Sequence, residues 1–134
     1  MINSLLALLL RHRRLLLVMT LAWMSVIFLL SAQSSIHIPS MFFMQDKALH
    51  SLLFGALGFF CSLLVMGDVS KPTFWHVLVV VLLVMGYGGL DEFHQSFVPG
   101  RAPDILDLMA DALGGLFIAL LMRYILGSYA QRGT

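Results

Sequence analysis

The sequence predicts an all-α membrane protein, a bundle of four transmembrane helices. Of its 134 residues, 60% are hydrophobic and 11% are charged, and the mean hydropathy is +0.94. A soluble domain of this size needs more polar surface than eight basic and seven acidic side chains can supply. The apolar residues form four runs, each close to the roughly 20 residues that cross about 30 Å of hydrocarbon as a helix. Runs such as "VLVVVLLVMG" also lack the alternation of polar and apolar residues found in membrane barrel strands.

The first apolar run, at residues 15–32, is predicted to be a membrane span rather than a removed signal peptide. It follows "RHRR" and precedes "SAQSS", as a signal peptide would, but it is long for that role and three further apolar runs follow it. Residues 2–10 extend this span or lie at the membrane interface. The other predicted spans are residues 48–66, 74–93 and 105–126, and short connections make residues 1–134 a single domain.

Two loops are expected at the end of the bundle where the first and third spans finish. The loop before the second span, "SAQSSIHIPSMFFMQDK", caps the bundle or lies at the interface. In the second loop, Pro99 and Gly100 mark a tight turn, so the third and fourth helices should be neighbours. As an alternative to a site role, Asp46 could only cap the second helix and Asp104 could only lie in the first turn of the fourth, where carboxylates favour the positive helix end.

The lysines and arginines predict the orientation of the bundle. Six of them fall on the side of the amino terminus, namely Arg11, Arg13, Arg14, Lys71, Arg123 and Arg132. Only Lys47 and Arg101 fall on the opposite side. Because short cytoplasmic loops carry the excess of basic residues, both termini are predicted to be cytoplasmic.

The acidic residues show the opposite asymmetry. Six of the seven lie toward the predicted outer face: Asp46, Asp91, Glu92, Asp104, Asp107 and Asp111. Only Asp68 lies in a cytoplasmic loop. Five of the six fall within residues 88–111, "GGLDEFHQSFVPGRAPDILDLMAD", where two apolar runs meet.

Helical spacing places these groups on particular faces. Asp104, Asp107 and Asp111 follow an i, i+3, i+7 pattern, which puts the three carboxylates on one face of the fourth helix. Asp111 would lie about 10 Å below Asp104 along the helix axis. An ionised carboxylate at that depth is costly in contact with lipid, so we expect Asp111 to face the interior of the bundle.

The second and third helices carry polar groups at the same level. Asp91 and Gln95 share a face with His94, whereas Glu92 points about 100° away. At the start of the second helix, Asp46 and His50 are four residues apart, with Lys47 adjacent. Three helix ends are therefore predicted to direct carboxylates, imidazoles and two cations to the outer leaflet.

Several short motifs occur together in residues 28–121. They are D-K-x-x-H at Asp46, Lys47 and His50, D-E-x-x-Q at Asp91, Glu92 and Gln95, the turn Pro99 to Arg101, and D-x-x-D-x-x-x-D from Asp104 to Asp111, with "FLLSAQSS" upstream. In this combination the chain resembles the VanZ-like family of small bacterial membrane proteins. The resemblance implies a multi-pass protein of the bacterial cytoplasmic (inner) membrane. The family is named after a protein associated with teicoplanin resistance, and asparagine is common there at the position of Asp111.

The clustered groups indicate a site for a polar or phosphorylated envelope molecule linked to lipid. We expect catalytic roles for Asp91, Glu92, His50 and Asp107, and substrate binding by Lys47, Arg101, Gln95, Asp46 and His94. A planar guanidinium suits phosphate oxygens, and an imidazole exchanges protons near neutral pH. A divalent cation is a candidate cofactor, with Asp91, Glu92, Asp104 and Asp107 as candidate ligands. The expected partner is a membrane lipid or lipid-linked envelope molecule and not a nucleic acid; a homo-oligomer is left open.

Two other functions remain open from the sequence. The acidic face could serve proton transport or lipid flipping, although neither an internal repeat nor a second polar cluster is evident. Alternatively, the charges could only lock the helix ends together, but two basic residues cannot neutralise six acids. Enzymatic activity is also open, because no G-x-S-x-G or H-E-x-x-H motif is present.

Overall fold

The computed structural model describes residues 10–34 and 44–132. They form four α-helices: α1 (Arg13–Ser31), α2 (Gln45–Met66), α3 (Phe74–Gln95) and α4 (Ile105–Arg132). All four are long and apolar enough to cross a membrane, which confirms the predicted bundle. The main differences from the predicted spans are that α2 begins at Gln45 rather than at residue 48 and α4 continues past residue 126 to Arg132. The predictions for residues 2–9 and for most of the first loop, 35–43, lie outside the described residues.

The N-termini of α2 and α4, which lie at the acidic end of the bundle, differ in their capping. Met44 precedes α2 in the left-handed conformation with φ 63°, and no side chain caps that helix. The prediction that Asp46 caps α2 is therefore wrong, since Asp46 lies inside the first turn. Asp104 immediately precedes α4, and its Oδ1 accepts a hydrogen bond from the Leu106 N–H at 2.9 Å. Asp104 is thus the cap of α4 rather than a residue of its first turn.

The turn before α4 depends on Gly100. Its φ is +82°, in the left-handed region that glycine adopts without the strain of a Cβ. The Arg101 N–H donates to the Val98 carbonyl at 3.1 Å and closes the turn. The predicted tight connection is confirmed, and α3 and α4 pack against each other.

Helices α2 and α4 make the closest contact in the bundle. A Cβ on Gly58 would lie 3.1 Å from the Gly115 Cα, and a Cβ on Gly114 would collide with the Ser51 carbonyl. Small residues at such positions let two helix backbones approach closely, which membrane helices use in place of a hydrophobic driving force. The site groups on α2 and α4 are brought together by this contact.

Helix α1 lies at the margin of the bundle and packs against α2 and, more sparsely, α3. Two polar contacts attach it to those neighbours. The Trp23 Nε1–H donates to the Leu53 carbonyl at 3.0 Å, and the Tyr87 hydroxyl donates to the Met24 carbonyl at 2.6 Å. These carbonyls give the partly buried aromatic donors the partners that they need in an apolar setting.

Large apolar side chains cover the outside of the helices. Examples that are well over half exposed are Leu21, Leu52, Leu90 and Phe117, one from each helix. Apolar surface on every helix is typical of a protein whose solvent is lipid. The chain is therefore a multi-pass membrane protein, and the cytoplasmic placement of its termini stays a prediction.

Candidate functional site

The functional groups gather where α2 and α4 begin and α3 ends. We call this set the acidic cluster, and it consists of Lys47, His50, Asp91, Glu92, Asp104, Asp107 and Asp111. All of its members except Asp111 are candidate site residues predicted from the sequence, and Asp111 is expected from the sequence to face the interior of the bundle. Packing of three helices brings these residues together at one end of the bundle, with Asp91, Glu92, Asp107 and Asp111 buried.

Lys47 lies among three carboxylates. Its Nζ is 2.8 Å from Asp107 Oδ1 and 3.0 Å from Asp46 Oδ2, and it also pairs with Asp104. The Lys47 side chain is only 16% exposed, whereas that of Asp46 is 64% exposed. The ammonium of Lys47, followed by the Leu106 N–H, holds the pKa of the Asp104 carboxyl below its usual value. Lys47 is thus already engaged and does not present a separate positive charge for a phosphate.

His50 is held between two carboxylates of α4. Its Nδ1 is 3.0 Å from Asp111 Oδ1, and its Nε2 is 3.9 Å from Asp107 Oδ2. The ring also stacks on Phe54, with parallel planes and a centroid separation of 6.1 Å. If Asp111 is ionised, Nδ1 donates its proton to it, and Nε2 is then the nitrogen with a lone pair.

Asp111 confirms the expectation that the deepest acid of α4 faces the interior. It is 0% exposed. Room for it depends on Gly88 of α3, where a Cβ would lie 2.7 Å from Asp111 Oδ2. The depth of Asp111 along α4 could be predicted from the sequence. Its pairing with His50 could not, because that pairing depends on the positions of α2 and α4 relative to each other along the bundle axis.

Asp91 is satisfied mainly by its neighbours. Its Oδ2 accepts hydrogen bonds from the Gln95 side chain at 2.8 Å and from the Ser31 hydroxyl at 2.7 Å. The Gln95 contact follows from the i, i+4 spacing on one helix face. Ser31 was missed as a site residue, although it lies in the quoted "FLLSAQSS" segment, because nothing in a single sequence places α1 beside α3.

Glu92 connects α3 to the beginning of α4. Its Oε2 accepts a hydrogen bond from the Asp104 backbone N–H at 2.7 Å. Its Oε1 is buried and has no hydrogen-bond partner among the described residues. One carboxylate oxygen of Glu92, one of Asp107 and one ring nitrogen of His50 lie within 4.8 Å of one another. These three residues form the convergent centre of the acidic cluster.

Two predicted substrate-binding residues have their contacts elsewhere. The His94 ring stacks on Phe28 of α1, with a centroid separation of 4.2 Å. The Arg101 Nε–H donates to the Gln33 carbonyl at 3.4 Å, and the Arg101 side chain is partly exposed. Neither forms an ion pair with the acidic cluster in the described part of the chain, and their role in substrate binding stays a prediction.

Only two of the four candidate metal ligands lie together at the convergent centre. Of the four carboxylates predicted for that role, Glu92 and Asp107 belong to the convergent centre. Asp91 is instead hydrogen-bonded by Ser31 and Gln95, and Asp104 is paired with Lys47. The third member of the centre is a histidine, which the sequence had assigned to proton transfer.

The chemistry available to this site follows from its excess of acceptors. Five carboxylates in the acidic cluster face one lysine and one histidine. In a membrane such a set must carry extra protons or attract a cation or hydrogen-bond donors, since unpaired buried charge is costly. The site is thus equipped to accept protons, donors or a metal ion.

Comparisons with known proteins give one match. A family model described as VanZ/LLP1 matches residues 15–126, which is more than half of the chain and includes the whole acidic cluster. Neither a curated protein nor a solved structure matches the chain.

Proposed function

The chain belongs to the VanZ-like family, and we propose that it binds the polar headgroup of a lipid-linked envelope molecule at the outer face of the bacterial inner membrane. The observation that carries the proposal is the convergence of His50, Glu92 and Asp107 at the end of a lipid-exposed bundle. Buried groups of this kind in membrane helices usually belong to a functional site.

The position of the acidic cluster suits a ligand that is half in lipid. Exposed apolar side chains surround this end of the bundle, including Leu52, Phe93, Phe97 and Ile105. A lipid-linked molecule can lay its chains against such side chains while its headgroup reaches the helix ends. Hydroxyl or amino groups of that headgroup would supply the donors that Glu92 Oε1 and Asp91 Oδ1 lack among the described residues.

Partly exposed Arg101 would contact the same headgroup from the loop. Among the described residues its side chain donates only the Nε–H hydrogen bond to Gln33, and a guanidinium carries several more donors in a planar fork. This places a cation beside the acidic cluster rather than within it. A phosphate on the headgroup would then meet Arg101 at the rim, since Lys47 is engaged by carboxylates.

Transport or flipping by one chain receives less support from the packing. Every buried carboxylate among the described residues lies at the same end of the bundle. The buried hydroxyls outside the site, Thr20 and Ser62, donate to carbonyls of their own helices. A path for protons or headgroups through the other half of the membrane would need further polar groups.

Native mass spectrometry of the full chain, extracted with its own lipids, tests the proposal. The wild type should carry an envelope lipid with a polar headgroup. The double substitution Asp91→Asn and Glu92→Gln should reduce that adduct by at least about tenfold, since each group contributes about 1–3 kcal/mol through charge-assisted hydrogen bonds. Asp68→Asn is the matched control, because Asp68 is an exposed carboxylate at the opposite end.

Equal adducts on the wild type and the double variant would overturn the proposal. If that variant were also less stable than the wild type, the acidic cluster would be structural. Turnover of the bound molecule by purified wild type would make the protein an enzyme, and a proton signal in proteoliposomes abolished by Asp107→Asn would establish transport instead. A deletion strain with unchanged teicoplanin sensitivity would remove a resistance role for this protein.

A further inference from the structure

The convergent centre has the donor set of a metal site. His50 offers a ring nitrogen, and Glu92 and Asp107 each offer a carboxylate oxygen, all within 4.8 Å of one another. The Nε2 of His50 is 3.9 Å from Asp107 Oδ2. Metal bonds of about 2.0–2.2 Å place adjacent ligand atoms about 3–3.5 Å apart, so side-chain movements of about 1 Å would close the site.

The orientation of His50 favours a metal at Nε2. Asp111 lies 3.0 Å from Nδ1 and is completely buried, and Nε2 lies on the side of Asp107. Histidines that bind metals commonly donate their other ring N–H to a carboxylate in this way, which sets the tautomer and increases the basicity of the ligand nitrogen. Asp111 would therefore be a positioning residue, not a ligand.

Glu92 provides an independent observation that points to a ligand. It is only 7% exposed, and its Oε1 has no partner among the described residues. Its Oε2 is fixed by the Asp104 N–H, so the second oxygen is held in the interior rather than turned to water. A buried carboxylate oxygen without a hydrogen bond is unfavourable, and a cation would satisfy it.

The charges of the acidic cluster leave Glu92 without a cation. Lys47 lies against Asp104 and against Oδ1 of Asp107, which leaves Oδ2 of Asp107 facing His50. Asp111 is paired with the Nδ1 side of His50. Among the described residues, no lysine or arginine forms an ion pair with Glu92. A divalent ion at this position would offset the negative charge of Glu92 and that at Oδ2 of Asp107.

We propose that His50, Glu92 and Asp107 bind one divalent transition-metal ion of the Mn²⁺ or Zn²⁺ type. One imidazole nitrogen with two carboxylate oxygens suits these ions better than Ca²⁺ or Mg²⁺, which prefer oxygen alone. Three protein ligands also leave coordination positions open, as in sites where a metal contacts a substrate.

The ion would take part in the proposed binding of a headgroup, and this part of the inference rests on that proposed function. A carboxylate-rich site by itself repels a phosphorylated headgroup, and Lys47 is already engaged. A metal with open positions would hold phosphate oxygens at the centre of the cluster, with Arg101 at the rim. The class of molecule that fits is then a lipid-linked phosphate or pyrophosphate.

The test is metal binding by the full chain purified in detergent without added lipid. After removal of metals with a chelator, the protein would be titrated with Mn²⁺ and with Zn²⁺, and bound metal would be counted by electron paramagnetic resonance and elemental analysis. One ion should bind per chain. Zn²⁺ should displace Mn²⁺ at a concentration at least about tenfold lower than Ca²⁺ does, because of the imidazole ligand.

Substitutions with matched controls locate the ion. His50→Gln and Glu92→Gln should each weaken Mn²⁺ binding by at least about tenfold, and Asp111→Leu by about 10–100-fold through the second ring nitrogen. Asp111→Asn should restore most of the affinity, since its amide oxygen still accepts the Nδ1 proton. His12→Gln and Asp68→Asn, both on exposed residues at the opposite end, should bind metal like the wild type.

A measurement on the wild type keeps the proposal falsifiable even where a variant fails to fold. Spin-echo spectroscopy of bound Mn²⁺ should show coupling to the nitrogen of one imidazole. Retention of neither ion, absence of that coupling, or an equal loss of binding in His12→Gln would overturn the metal site. In that case the carboxylates of the cluster would carry protons instead of an ion.

The two proposals fail in different experiments. If metal binds but native mass spectra of wild type and the Asp91→Asn, Glu92→Gln variant show the same lipids, the headgroup function fails and the metal site stands. If the headgroup adduct depends on the cluster but no metal binds, the metal site fails and the headgroup function stands.

Discussion

The two ends of the bundle carry charged residues in opposite ways. At the end where α1 begins, Arg13 and Asp68 form an ion pair at 2.8 Å with side chains that are 61% and 69% exposed. At the other end, Asp91, Asp107 and Asp111 are at most 8% exposed. Exposed charges keep most of their solvation, so their pairing contributes little, whereas buried charges depend entirely on their partners. The comparison indicates where a site can exist.

Packing produces this difference. At the acidic end, Gly114 allows α4 to approach the Ser51 carbonyl of α2, and Gly88 leaves room for Asp111. At the basic end a Cβ on Gly127 would lie 3.9 Å from Pro72, an ordinary contact. Arg123 there donates to the Pro72 carbonyl at 3.1 Å and lies 4.1 Å over the Phe74 ring. Close backbones enclose the acidic groups, while the basic groups stay at the surface.

The largest effect is expected from removing Lys47 at the acidic end, and removal of Arg13 at the basic end is the comparison. Lys47→Met keeps the length of the side chain but leaves Asp104 and Asp107 without their ammonium, and it should lower the free energy of unfolding by roughly 3–5 kcal/mol. Arg13→Met should cost at most about 1 kcal/mol. Unfolding by sodium dodecyl sulfate in mixed micelles measures both. Equal losses would show that the two ends are solvated alike.

A smaller effect is expected from adding one methyl group beside Asp111. Gly88→Ala would place a Cβ against Asp111 Oδ2 and the Leu108 side chain, and it should destabilise the fold by about 1–3 kcal/mol. Gly89→Ala is the control, because nothing lies within 4 Å of a Cβ there. It should stabilise α3 by up to about 1 kcal/mol. Thermal unfolding of both proteins checks the prediction, and a stable Gly88→Ala would mean that Asp111 is loosely packed.

Two substitutions of Asp111 separate the contribution of its charge to stability from the contribution of its hydrogen-bond acceptor. Asp111→Asn keeps an oxygen for the His50 Nδ1–H and should change the free energy of unfolding by less than about 1 kcal/mol, whereas Asp111→Leu should cost about 1–3 kcal/mol. Nitrogen NMR of the His50 ring should show the proton on Nδ1 in the wild type and in Asp111→Asn only. The same tautomer in Asp111→Leu would show that Asp111 does not orient the ring.

The smallest effect is expected from the exposed acid at the basic end. Asp68→Asn removes the partner of Arg13 and should change the free energy of unfolding by less than about 1 kcal/mol at low salt. The difference should shrink further in about 1 M salt, where the Debye length is about 3 Å. Thermal unfolding at both salt concentrations measures it. A large effect that persists in salt would contradict the contrast between the ends.

Much of the fold could be predicted because each span is a local feature of the chain. The start of α3 at Phe74 and the start of α4 at Ile105 agree with the sequence-based boundaries, since an apolar run and its polar flanks define a membrane helix. The start of α2 was placed three residues late because the polar pair Asp46 and Lys47 was read as loop. Those side chains are tolerated in the helix because carboxylates of α4 receive Lys47.

The candidate site could be predicted as a region but not as a set of contacts. Helical periodicity alone put Asp107 and Asp111 on one face and Asp91 with Gln95 on another. It gave no information on which groups of different helices meet. Consequently the contacts of Arg101 with Gln33, of His94 with Phe28 and of Ser31 with Asp91 could not be predicted.

The sequence by itself determined four spans, one polar end and the depth of Asp111, because hydropathy and helical pitch act within a single segment. The tertiary structure alone decided that His50 lies between Asp111 and Asp107, that Lys47 is shared by carboxylates, and that Glu92 joins His50 at the centre. The physical reason is that these contacts depend on the height and rotation of α2, α3 and α4 relative to one another. Close approach at Gly58, Gly88 and Gly114 sets those quantities.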